Sequence, residues 1–138
     1  MSDTPRPSDY LVDLIFMALD HGIDSIGDGA GPLVPFMLTD RDGERDIRRI
    51  VAEQLEDGVR QARLAARKET KTGKLAAIAY DGFLTTDGNR MDAIFVQAAD
   101  SPDGPTFYFA QRYTMKGTKV EPFGNAAFVH IDQSLFPD

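Results

Sequence analysis

Residues 9–20 read Asp-Tyr-Leu-Val-Asp-Leu-Ile-Phe-Met-Ala-Leu-Asp, apolar everywhere except Asp9, Asp13 and Asp20. Acids at that spacing leave only a narrow polar stripe on a helix, so most of its circumference must be covered. Ser8 is placed to cap the helix, Asp9 complements the dipole in the first turn, and Gly22 is placed to end it. A short helix with so wide an apolar face either packs inside its own domain or meets a second chain. On the second alternative the interface residues are Tyr10, Leu11, Leu14, Ile15, Met17 and Ala18.

A glycine-rich stretch, residues 22–31, separates this helix from a strand over Leu33–Leu38. Pro32 and Pro35 lack amide donors, which suits an edge or a bulge better than a central strand. From Glu44 to Lys68 apolar residues recur at Ile47, Ile50, Val51, Leu55, Val59, Ala62, Ala65 and Ala66. That spacing predicts one long amphipathic helix, with Arg49, Glu53, Glu56, Arg60, Arg63 and Arg67 on its polar side.

Beyond Gly73 the period drops to two. Lys74–Thr85 and Asn89–Ala99 flank Asp87-Gly88, the dipeptide that most strongly marks a two-residue hairpin. With Asp87 and Gly88 as the loop, Leu84 faces Met91, Gly82 faces Ala93, Tyr80 faces Phe95 and Ile78 faces Gln97. This side lies against the long helix. Ala77, Ala79, Asp81 and Phe83 share the other side with Ala98, Val96, Ile94 and Asp92. Thr106–Tyr113 and Ala126–Ile131 follow as further strands, with a turn at Lys116-Gly117. The expected fold is α+β in the order α-β-α-β-β-β-β. It has two layers: a four- or five-stranded, mainly antiparallel sheet under one long helix, with the apolar first helix beside it. Residues 1–7 read as a disordered tail and 8–138 as a single domain.

Composition narrows function by exclusion. The chain has 138 residues and no cysteine, which removes disulfides, thiolate chemistry and cysteine-bound metals. Its formal net charge of −7 opposes nucleic acid or an anionic membrane as the main partner. Positive charge concentrates in residues 41–74, with ten bases among seven acids. The first residues are neither basic nor apolar, and no apolar run approaches the ~20 residues of a membrane span. A cytoplasmic, bacterial protein is the expectation.

Few motifs carry chemistry. Gly27-Asp28-Gly29-Ala30-Gly31 lies between helix and strand, the reverse of a phosphate loop, and Asp28 would repel phosphate. Ser25 misses the nucleophile-elbow spacing by one residue. His21 suits the end of its helix, where an imidazolium gains from the dipole. A calcium loop begun at Asp40 fails at Arg45 and Val51, and Asp24 with Asp28 makes too small a ligand set. His130 and Asp132, two apart on a strand, project from one face and offer an acid/base pair. Asp81 and Asp92, diagonal neighbours in the hairpin, are candidates to join them as catalytic residues. Strand alternation sends Phe107, Phe109 and Tyr113 to the core and leaves Tyr108 and Arg112 as an interface pair. The expectation is a non-enzymatic protein acting by protein–protein contact, as a homodimer or with another protein. It needs no metal or cofactor. The alternative is a small-ligand-binding domain or a hydrolase built on His130, Asp132, Asp81 and Asp92.

Overall fold

The computed structural model describes residues 5–27 and 33–137. Helix α1 (Asp9–Gly27) leads into the hairpin β1 (Phe36–Arg41) and β2 (Glu44–Arg49). Helix α2 (Leu55–Lys71) follows, then β3 (Leu75–Thr86), β4 (Asn89–Ala99), β5 (Thr106–Lys116), β6 (Lys119–Pro122) and β7 (Ala127–Asp132). All pairings are antiparallel, in the order β2-β1-β3-β4-β5-β6, and β7 pairs β5 alongside. The class is therefore α+β, as the pattern predicts. The architecture differs: among the described residues the sheet has seven strands, and one helix packs on each face, making three layers instead of two. No described helix is long and apolar enough to cross a membrane.

The hydroxyl of Ser8 accepts the Leu11 N–H at 3.1 Å, the expected cap. Gly22 does not end the helix. A Cβ there would sit 2.9 Å from the Ile94 side chain, so Gly22 marks the closest approach of helix to sheet. The buried stripe continues past it through Ile26. Leu11, Leu14, Ile15 and Ala18 are 0% exposed, packed on a floor of Ala77, Ala79, Val96 and Ala98. Each large aliphatic side chain buried this way stabilises the fold by about 1.5–3 kcal/mol.

Helix from Glu44 to Lys68 is not what forms. Arg41 pairs with Glu44 around Asp42 (φ 53°) and Gly43 (φ 88°), a left-handed two-residue turn that makes β1 and β2 a hairpin. Ile47 and Ile50 match the helical period by coincidence; the Asp-Gly turn beside them decides the outcome. The helix starts only at Leu55, with Glu56 and Asp57 in its first turn and Lys68 and Lys71 in its last. Gly58, Val59, Ala62, Ala66 and Thr70 are its buried positions, and Ala62 and Ala66 pack with Met37, Ile78 and Phe136.

The β3–β4 register matches the expectation pair for pair, from Ile78 with Gln97 to Leu84 with Met91. The first strand begins at Phe36 and lies second from the edge, with β2 outside it. Strand β6, after the Lys116-Gly117 turn, is an addition to the expected set. Helix α2 lies over β1 and β3 alone among the strands it principally contacts. Toward β4 it reaches only Ala99, which packs with Ala62 and Ala66, and Gln97, which Arg63 meets, so β5 and β7 lie beyond its principal contacts.

Candidate aromatic and arginine surface on the half-covered sheet

The β ladder fixes which side chains share the uncovered area. Tyr80 pairs with Phe95, Gln97 with Tyr108, Ala93 with Arg112, and Tyr108 with His130. Directly opposed residues project to one face, and Gln97 opposes Ile78, whose side chain is in the core under α2. All these residues thus lie on the α2 side. Ala93 and Ala110 on this face are buried beneath their neighbours, and a Cβ on Gly82 would sit 3.0 Å from the Phe95 ring. The missing side chain lets Phe95 lie flat, stacked with Tyr80 at 5.8 Å and 14°.

A second stack crosses the β5–β7 pair: Tyr108 and His130, ring centres 4.0 Å apart at 18°. Between the stacks sits Gln97, 1% exposed. Burying an amide costs roughly 1–3 kcal/mol unless it is hydrogen-bonded. Here Nε2 donates to the Tyr80 hydroxyl at 2.7 Å, and Oε1 accepts from Nε of Arg63 at 3.4 Å. The amide thereby ties a residue of α2 to one of β3. The Arg63 guanidinium lies 6.0 Å from the Tyr80 ring centre, and that of Arg112 lies 5.1 Å from Phe123. Neither is in an ion pair among the described residues. Burial raises the Tyr108 phenol above its usual range, helped by Tyr80 and Asp132 and opposed by Arg63, so it stays neutral.

The candidate catalytic residues do not converge. His130 and Asp132 share the α2 side, but Asp132 Oδ1 accepts the Ser134 N–H at 2.8 Å, fixing the turn after β7. Asp81 opposes Ile94 and Asp92 opposes Phe83, which places both on the α1 side. The sheet separates them from His130. Asp81 accepts the Tyr113 hydroxyl on both oxygens, at 2.8 and 2.9 Å. Burial raises its pKa, the Tyr113 bond opposes that, and Asp92 adds a smaller upward push. Burial raises the Tyr113 phenol above its usual range, and the bond to Asp81 adds to the shift. This is a structural carboxylate tying β3 to β5.

The helix positions expected at an interface divide as well. Leu11, Leu14, Ile15 and Ala18 are enclosed by their own sheet, Met17 is half-buried, and Tyr10 is 75% exposed. The enclosed four have no apolar surface left for a second chain. His21 stands inside the helix, edge-on to Phe36 at 4.9 Å, instead of at its end. The glycine-rich segment Asp28–Gly31 lies outside the described residues. Among the described residues no group of three His, Asp or Glu is placed to hold a metal.

Tyr108 and His130 are thus brought together, Arg112 shares their face beside Phe123, and Arg63, Tyr80, Phe95 and Gln97 join that face unforeseen as site residues. One signal marked the last: Gln97 interrupts the otherwise apolar Ala93–Ala99. Compared with family models, with curated proteins and with solved structures, the chain matches none.

Proposed function

We propose that the protein is a non-enzymatic binding protein that works through protein–protein contact, and that the uncovered half of the sheet is its contact surface. One observation carries this reading: beyond its contacts with Gln97 and Ala99 of β4, α2 does not extend over β5 and β7, leaving two aromatic stacks and two arginines without an ion pair among the described residues on one face. Tyrosine and arginine dominate the energetics of protein interfaces because they combine apolar area with directed polar groups. The buried Gln97 supports the reading, since it holds Arg63 and Tyr80 in fixed positions before any partner arrives.

The partner that fits is a protein presenting a carboxylate-bearing strand or loop. Two guanidiniums beside aromatic rings, on a chain whose net charge is −7, suit this face to acidic groups. Panning a displayed peptide library on the protein is the test. Enriched peptides are expected to be rich in Asp and Glu, and to bind a Tyr108→Ala/Arg112→Ala variant at least ~30-fold more weakly, two hot-spot losses of ~1 kcal/mol or more each. Peptides with no acidic preference, or with equal affinity for the variant, would refute it.

A further inference from the structure

The two edges of the sheet are built differently. At one edge β5 is shared between β6 and β7, the ladder to β7 shifts register between Tyr108 and Phe109, and β6 ends in Pro122. A register break and a proline are devices that stop a sheet from adding strands. The other edge is β2, Glu44-Arg-Asp-Ile-Arg-Arg49, six exposed residues in unbroken register with β1. It has no proline or bulge; its guard is charge, negative, positive, negative before Ile47 and positive twice after it, which admits only a strand of complementary charge. We propose that two copies of this chain pair through β2, antiparallel, about a twofold axis at Ile47. This stands apart from the sheet-face reading and uses none of its residues.

The register follows from the hairpin. In a two-residue turn the closing pair, Arg41 with Glu44, is hydrogen-bonded, and bonded pairs then alternate along the ladder. Glu44, Asp46 and Arg48 therefore spend their backbone groups on β1. The Ile50 N–H, donating to the Pro35 carbonyl at 2.8 Å, continues the same alternation. Arg45, Ile47 and Arg49 turn their N–H and C=O groups outward. A twofold axis normal to the sheet matches residues of one face, so only registers centred on a residue are allowed.

Centred on Ile47, that residue meets its own copy, Asp46 meets Arg48 twice, and Arg45 meets Arg49. The opposite charges fall on the non-hydrogen-bonded pairs, where Cα atoms are only ~4.5 Å apart and side chains are closest. The like charges fall on the wider pairs, and Arg45 is already neutralised by Asp40 at 2.8 Å. Centring on Asp46 sets Glu44 against Arg48 but brings two aspartates together on the axis. Centring on Arg48 does the same with two arginines.

Light scattering after size exclusion is expected to show a dimer at micromolar concentration. Asp46→Arg alone and Arg48→Asp alone should each weaken it about tenfold or more, as two attractive cross-strand pairs become repulsive. Mixing the two variants should restore a dimer between them, because every 46–48 pair is again opposite in sign. That recovery also shows that neither variant is merely misfolded. Tyr108→Ala/Arg112→Ala should leave the dimer intact. A monomer at every concentration would overturn the proposal. So would a dimer indifferent to the charge changes, one that mixing fails to restore, or one lost only with Tyr108 and Arg112.

Discussion

Single residues show how this chain handles buried polarity. Asp40 lies in the β1–β2 hairpin, where Arg45 and the Gly43 N–H bond its carboxylate. The Arg45 bond holds its pKa below the usual carboxylate range, against the upward pull of burial. Asp81 is the reverse: burial holds it above that range, and its Tyr113 bond only partly compensates. The signs of their contributions to stability therefore differ. A depressed carboxyl stabilises the fold above its unfolded pKa, and that contribution vanishes as pH falls through the folded value. A raised one stabilises below its unfolded pKa and loses that as pH rises through the folded value. Urea unfolding across pH 2.5–7 checks both. Wild type should exceed Asp40→Asn by most near neutrality, with the gap closing below about pH 4. Asp81→Asn should gain on wild type as pH rises. Parallel curves for either variant would contradict the assignment.

At the scale of elements, turn chemistry outranked hydrophobic period. Of the six Asp-Gly dipeptides, those at 57–58 and 81–82 lie inside α2 and β3, while two, at 42–43 and 87–88, place both residues at positive φ and close hairpins. The second was legible because alternating strands flank it. The first was hidden because Ile47, Ile50 and Val51 fit a helix with Leu55, although the charged β2 has no apolar face of its own. Gly22 misled in the other direction: nothing local distinguishes a helix-ending glycine from one that admits a sheet side chain, here Ile94. Period also said that α1 must be covered without saying by what, and the answer was the far face of its own sheet. Leu14→Ala should consequently cost about 2–5 kcal/mol, as in other fully enclosed sites. Tyr10→Ala, one turn away and exposed, should change stability by less than about 0.5 kcal/mol. Denaturant titration separates the two, and a Tyr10 loss as large as that at Leu14 would place α1 wrongly.

For the whole molecule, the decisive feature is an imbalance between the two faces of one sheet. Helix α1 serves β3, β4 and their neighbours on one side, while α2 and the buried Phe136 cover only part of the other. Sequence could reveal the pairing of β3 with β4, because the turn sets it. It could not reveal where β7 inserts or how far α2 reaches, since those depend on contacts between distant segments. So Tyr108 and His130 were each visible as candidates, but their stacking across β5 and β7 was not. The central claim is that this half-open face, and not α1, is where the protein meets its partner. Backbone amide shifts of the 15N-labelled protein, titrated with an acidic peptide selected by panning, test it most directly. Shifts should gather at Tyr80, Phe95, Gln97, Tyr108, Arg112 and His130 and spare Leu11–Ala18. Shifts centred on α1, with the β4–β5–β7 face silent, would contradict it.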